Sequence, residues 1–351
     1  MIGALALHTL LLVGPLAGGA DLAPHLHLMQ QMAETPALRS VYAPAYHALG
    51  AVLGSALSLA SAVKLVALGS AALLLLGFRR FQRAAGLPDA SAALFCWIPY
   101  GFALSWCLPK VEAAGYGLAF IGLAWLWEGR HRRVAIAIAA TFCVHTGAAL
   151  FLGLTGGVAA LALRDHRALA ALALGCVLAA PLFAVHWAAG CSPAEAFLFS
   201  RGDYLRSAVG WSSFPMLERV AALAGPPIVA CAVLGARSLW KQHRPVAWLA
   251  VVAVFLWANE LWLLPFGSRT TLNLLRGLTV LAFPLAAAAG VFLMNRPRAA
   301  PAVIVASAVW ALGCAWLALP GSCYREPVDW ERQDGLVVDR CTFRWTSTAP
   351  R

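Results

Sequence analysis

The sequence predicts an all-α fold, a polytopic transmembrane helical bundle of about eleven spanning helices, with juxtamembrane helices added in its first outer loop. Three observations predict it. Of 351 residues, 61% are apolar and 12% charged, against roughly 45–50% and 25% in a soluble domain, which excludes an ordinary water-soluble enzyme. The apolar residues run in long stretches, and eleven crossings of about 20 residues each would use about 220 positions. The basic residues stand in short clusters between those stretches, where membrane topology puts them, so the net charge of +11 implies a lipid bilayer and no nucleic-acid partner.

The first element, MIGALALHTLLLVGPLAGGA, ends in small residues as a signal peptide does, but no Lys or Arg precedes its apolar run and it reads as an uncleaved first span. The later elements follow from charge, because Lys and Arg near helix ends collect on the cytoplasmic face. Five clusters mark that face: Arg79, Arg80 and Arg83; Arg130, Arg132 and Arg133; Arg164 and Arg167; Arg237, Lys241 and Arg244; Arg296 and Arg298. A helix from about 58 to 78 precedes the first cluster. Apolar hairpins then run from about 88 to 128, 134 to 163, 168 to 236 and 246 to 295, and a last span from about 300 to 319 leads outward. Thirteen of the 26 basic residues fall in the five clusters, whereas twelve of the fifteen acidic residues fall outside, leaving Asp89, Glu128 and Asp165 within. Residues 1–319 thus read as the transmembrane helical domain with outer loops 19–57 and 188–218, and 320–351 as a short polar extracytoplasmic tail.

Two elements break the pattern. The apolar stretch from Pro44 to Leu57 would reverse every later cluster if it crossed the membrane; at about 14 residues it is some 21 Å long, too short for a core of about 30 Å, and it reads as a helix at or dipping into the outer boundary. The hairpin from 134 to 163 is too short for two full spans, so its turn at His145-Thr146-Gly147 should lie below the outer surface, where irregular backbone is tolerated only beside protein or a wet cavity.

Chemistry concentrates on the outer side. The loop GGADLAPHLHLMQQMAETPALRSVYAPAYH places Asp21 just after the first span and ahead of a stretch whose Leu26, Met29 and Met32 keep helical spacing. Two readings fit Asp21, a helix N-cap and a catalytic carboxylate. His25 and His27, two positions apart, point to different sides of a helix, which disfavours joint metal ligation; each remains a candidate for binding substrate, as do His47 and His145 in the same layer. Glu260, in Trp-Ala-Asn-Glu-Leu-Trp near the outer end of its helix, is an ionisable group at membrane depth, a functional candidate beside its pairing alternatives Arg269 and Arg276. Lys64 invites the same reading or simple snorkelling. Lys110 and Glu112 stand at the mouth of a short outer loop. The segment from Ala188 to Glu218 mixes aromatics with Arg201 and Arg206 and suits an interfacial helix or lid. None of the nine cysteines forms a CxxC pair; Cys96, Cys143, Cys176, Cys231 and Cys314 lie in apolar runs, and Cys323 and Cys341 in the tail are candidates for a disulfide in an oxidising compartment.

In order, Asp21, the stretch from Leu22 to Ala33, the segment Tyr42-Ala43-Pro44-Ala45-Tyr46-His47 and the turn His145-Thr146-Gly147 resemble the GT-C superfamily of membrane glycosyltransferases, over roughly residues 1–165 in motif and over the rest in architecture. That family has an acidic residue beyond span one, a juxtamembrane helix, a Tyr-Pro-Pro-like segment and a Lys-Gly-Pro-like turn; here the acidic position is a single Asp and a His stands where many relatives have a phosphate-binding Lys. The resemblance implies sugar transfer from a polyprenyl-phosphate-linked donor to a glycan, lipid or protein acceptor at the extracytoplasmic face of an inner membrane, with Asp21 as general base. It implies no cofactor and leaves a divalent cation open. Cations for the leaving phosphate would come from Arg39, Lys110, Arg201, Arg206, Arg269 and Arg276. A lipid transporter or flippase, and a non-catalytic scaffold of the same architecture, stand as the alternatives; no convincing internal repeat favours the transporter.

Overall fold

The computed structural model describes residues 3–4, 6, 22–34, 43–99, 101, 111–188, 198–199, 217–263, 269–270, 277–321, 336–338 and 345–347. In chain order the helices are α1 (Leu22–Glu34), α2 (Pro44–Ala56), α3 (Leu59–Ala84), α4 (Asp89–Phe95), α5 (Val111–Trp127), α6 (His131–Val144), α7 (Thr146–Ala162), α8 (His166–Ala188), α9 (Leu217–Ala224), α10 (Pro226–Gln242), α11 (Arg244–Trp257), α12 (Asn259–Leu263), α13 (Leu278–Met294) and α14 (Ala300–Gly321). Two small antiparallel ladders accompany them: β1 (Leu198–Phe199) pairs with β2 (Arg269–Thr270), and β3 (Leu336–Val338) with β4 (Trp345–Ser347).

Local chemistry sets the helix starts. Pro44 and Pro226 open α2 and α10, where a missing N–H costs nothing. The Ser58 hydroxyl caps α3 by accepting from the Ser61 N–H at 3.2 Å, and the Asp165 carboxylate accepts from the Ala168 N–H at 3.1 Å in the first turn of α8. Helices α3 and α5 run side by side in one direction. Gly77 and Gly117 let their backbones touch, since a Cβ on Gly117 would lie 2.8 Å from the Leu73–Leu74 backbone; small residues serve helix association in just this way where apolar burial between helices gains little. Below that crossing Phe78, Phe81, Phe95, Phe120, Phe151 and Phe283 fill the core, with Phe78 and Phe95 stacked at 3.9 Å between centroids.

The basic clusters gather at one end of the bundle. Arg80 and Arg130 both reach Glu128 at 2.9 Å, and the guanidinium groups of Arg80 and Arg133 lie over Trp125 at 5.6 and 5.9 Å. The His131 ring donates to Asp165 at 2.7 Å, which ties the start of α6 to the turn carrying Arg164. The ring of His243, between α10 and α11, hydrogen-bonds to the Ala85 backbone just past α3. Arg79 approaches Asp89 at 4.0 Å, and Ser91 on the same short helix rests on Gly290, near the last turn of α13. The clusters that share a face by charge therefore share it by contact.

The sides of the bundle are apolar. Leu76, Ile136, Leu150, Leu154, Val177, Val233, Val254, Phe255, Val305 and Val309 are 41–71% exposed, a belt that water would not tolerate and lipid requires. The chain is a membrane protein by this belt and by its composition. The expected eleven crossings are not all found as full-length helices. Among the described residues Ser61–Ala84 alone is long and apolar enough, while six further apolar helices run 10–17 residues.

Other expectations are corrected in detail. The helix expected from 58 to 78 continues to Ala84, carrying the first basic cluster on its last turns. Glu260 lies on α12, a separate short helix beyond the end of α11, because the backbone breaks at Ala258. Most of the segment 188–218, expected as an interfacial helix or lid, lies outside the described residues; Leu198–Phe199 within it form β1, with Phe199 opposite Arg269. The final helix reaches Gly321. Residues 7–20 of the first span, and Cys323 and Cys341, lie outside the described residues.

Candidate functional site

At the end opposite the basic clusters the first outer loop folds onto the bundle. Helices α1 and α2 pack as a pair, with the Met29 side chain lying against Gly50. Met29 and Tyr46 then join Val63 and Val66 of α3 and Val111 and Ala114 of α5 in one apolar cluster, flanked by Val144 at the end of α6. Pro44–Leu57 was expected to form a non-spanning helix in this layer, and α2 is that helix.

Two expected histidines meet inside this layer. His25 on α1 and His47 on α2 are 3% and 0% exposed, and His25 Nδ1 lies 2.9 Å from His47 Nε2. The other His47 nitrogen, Nδ1, donates to the Ala43 carbonyl at 3.3 Å. Tyr46 completes a ring cluster, its centroid 5.7 Å from that of His25 and 5.5 Å from that of His47. Its hydroxyl is buried and has no hydrogen-bond partner among the described residues. Burial lowers the His47 pKa to about 3, with the neighbouring charge of His25 acting in the same direction, and burial raises that of the Tyr46 phenol. Sequence reasoning missed Tyr46 as a site residue. The signal was there, since in Tyr46-His47 the phenol adjoins an already chosen histidine on an amphipathic helix.

The turn between α6 and α7 comes at His145, as expected. Its backbone is extended, at φ −157° and ψ 110°, and its Nδ1 accepts from the Ala148 N–H at 3.0 Å, so His145 is the N-cap of α7. The turn is sunken: His145 rests on Gly115, four residues and about 6 Å of helix rise along α5 from Val111. The ring lies 6.1 Å from that of Tyr116, and Glu112 in the first turn of α5 acts on it electrostatically. Tyr116 and Glu112 on α5 thus stand beside this turn, and Val144 at the end of α6 links it to the layer of α1 and α2.

The remaining expected residues divide in two. His27 lies on α1, Glu260 on α12 and Arg269 on β2. Asp21, Arg39, Lys110, Arg201, Arg206 and Arg276 lie outside the described residues. Among the described residues no three His, Cys, Asp or Glu side chains are grouped to hold a metal ion.

No family model matches the sequence, and no curated protein matches it. Solved structures do match in shape. The crystal structure of ArnT from Cupriavidus metallidurans bound to undecaprenyl phosphate superposes on 91% of this chain with a TM-score of 0.63 at 16% identity. The cryo-EM structure of the arabinofuranosyltransferase AftD from Mycobacteria superposes on 90% with a TM-score of 0.57 at 18% identity. This chain spans 64% of the length of the first protein and 26% of the second. By this superposition the chain shares the GT-C fold of these two structures.

Proposed function

We propose that the chain is an integral membrane glycosyltransferase that moves a sugar from a polyprenyl-phosphate-linked donor to an acceptor hydroxyl. The carrying observation is the docking of α1 and α2, with His25 and His47, on the ends of α3, α5 and α6 beside the His145 turn. The fold is shared with a protein whose structure holds undecaprenyl phosphate and with an arabinofuranosyltransferase, which supports the donor class. All five basic clusters sit at the other end, and by the positive-inside rule that end is cytoplasmic. The site then opens on the periplasmic side of an inner membrane.

In this reading Asp21, immediately before α1, is the general base. A carboxylate about 3 Å from the acceptor hydroxyl, directly or through one water, can take its proton as the oxygen attacks the anomeric carbon. The leaving lipid phosphate gains charge, which Arg39, Lys110, Arg201, Arg206, Arg269 and Arg276 supply the means to stabilise, Arg being suited to bidentate contacts. His25, His27, His47, Glu112, His145 and Glu260 serve donor and acceptor binding around that centre.

The test uses the full-length protein in liposomes, a radiolabelled polyprenyl-phosphate sugar and envelope glycolipid as acceptor. Wild type should transfer label, and an Asp21→Asn protein that inserts normally should lose about 100-fold or more in rate. Undiminished transfer by the variant would remove Asp21 as the base. Label that crosses the bilayer without being consumed would assign transport in place of transfer.

A further inference from the structure

The basic end of the bundle holds one cluster whose charges do not balance. Arg80 on α3, Arg130 in the turn between α5 and α6, and Arg133 on α6 converge on Trp125 and Glu128 at the end of α5. The Glu128 carboxylate accepts from Arg80 Nη2 at 2.9 and 3.1 Å and lies 2.9 Å from Arg130 Nε. Two guanidinium groups thus share that carboxylate, and Arg133, 5.9 Å from the centroid of the Trp125 ring, has no carboxylate within ion-pair reach among the described residues. Hydrogen bonding is short in the same sense. The Arg80 Nε–H and the Trp125 indole N–H are buried donors with no acceptor among the described residues, and the basic neighbours are themselves donors. The positive-inside rule asks that arginines lie at this end, but not that three of them meet at one tryptophan. What the cluster lacks is an oxygen-rich anion.

An apolar stripe leads from this cluster into the bilayer. Helix α5 packs against both α3 and α6, and its Leu118 and Ile121 are half-buried at the spacing that sets them beneath Trp125 on one helix face. Leu76 on α3 is 55% exposed and stands one turn before Arg80, and Ile136 on α6 is 61% exposed and stands one turn after Arg133. Helix α3 runs toward the basic end and α6 runs away from it, so each apolar side chain lies on the membrane side of its arginine and on the same helix face. We propose that the cluster binds an anionic phospholipid of the leaflet at the basic end, with its phosphate on Arg80 and Arg133 beside Trp125 and an acyl chain along Leu118 and Ile121 between Leu76 and Ile136. The planar fork of a guanidinium matches a phosphate, which also brings acceptors for the two orphan donors. A soluble phosphate would meet the same arginines but has no use for the apolar stripe, whereas a lipid carries its charge at the surface and its chains in the bilayer. The site lies at the opposite end of the bundle from α1 and α2 and stands apart from the transferase reading.

The experiment titrates the full-length protein in mild detergent with dioleoyl phosphatidylglycerol, with dioleoyl phosphatidylcholine and with inorganic phosphate, and reads bound lipid by native mass spectrometry. Wild type should bind phosphatidylglycerol saturably and in preference to phosphatidylcholine. Arg133→Gln removes a charge that no described carboxylate of the chain uses, and it should weaken phosphatidylglycerol binding by about fivefold. Trp125→Phe keeps the apolar ring without its N–H and should weaken binding by about threefold. Arg298→Gln removes the same charge from another turn of the basic end and should bind as wild type does. Equal weakening by Arg133→Gln and Arg298→Gln would reduce the effect to the general field of this face and overturn the site, as would equal binding of the two lipids. Displacement of the lipid by an equal concentration of inorganic phosphate would assign a soluble anion and overturn the lipid. Should Arg133→Gln not fold, Trp125→Phe decides alone, and wild-type affinity in that protein rejects the proposal.

Discussion

Gly115 and His145 are in contact with no space between them: a Cβ on Gly115 would lie 2.5 Å from the His145 Cβ and 2.9 Å from the Ala148 Cβ. The contact locks the start of α7 to α5 and sets the depth of the turn. A Gly115→Val protein must push the turn away or strain two helices, and overpacking of this kind costs about 1–3 kcal/mol. Its melting temperature in detergent should fall by several degrees, and sugar transfer should fall further than stability does. A variant as stable and active as wild type would show that the turn has room to give.

His145 stands where the GT-C resemblance expects a Lys, and its structural duty differs from that of a Lys. The Nδ1 lone pair caps α7 at 3.0 Å, and an ammonium has no lone pair to offer. His145→Asn keeps an acceptor and should retain most of the stability. His145→Ala and His145→Lys should each lose about 1 kcal/mol, the usual worth of an N-cap. Thermal melts of the three proteins order them. Equal stability of the Asn and Lys variants would discard the capping account.

The end-to-end charge arrangement gives a topological prediction. Arg83→Cys, Arg164→Cys and Arg298→Cys, each made in a background without native cysteines, should all react with an impermeant maleimide from the same side of sealed vesicles. Glu34→Cys, at the end of α1, should react from the other. The contacts that predict this are Arg80 with Glu128, His131 with Asp165 and Ser91 with Gly290, which bind the turns of the basic end together. One arginine position labelling with Glu34 would break the arrangement.

Much of this was legible in the sequence, for reasons that differ between elements. The basic clusters reveal topology because a guanidinium at a helix end has one favourable side of a bilayer, a one-body preference that needs no knowledge of neighbours. Pro44–Leu57 was legible as a non-spanning helix by length and charge parity, and His145 as a sunken turn by the shortness of its hairpin. The pairing of His25 with His47 was not legible. Both were chosen as separate binding residues, since which nitrogen meets which depends on how α1 lies on α2, and that is set where the Met29 side chain lies against the bare backbone of Gly50, 21 positions away.

The His25–His47 pair also predicts an acid sensitivity. His47 is held neutral down to a pKa of about 3, chiefly by burial and then by His25, against 6.5 for a free histidine. In the unfolded chain the same ring takes up a proton below about 6.5. The unfolded state therefore binds more protons than the folded one between those values, and stability rises with pH across that window. As pH falls from 6.5, this residue alone withdraws stability at a rate that approaches about 1.4 kcal/mol per unit. Thermal unfolding of wild type and His47→Gln between pH 7 and 4 isolates the effect, because glutamine does not titrate. The difference in stability between the two proteins should be constant above pH 7 and should shift in favour of His47→Gln on acidification; parallel curves through the whole range would mean that His47 reaches solvent and protonates in the folded state.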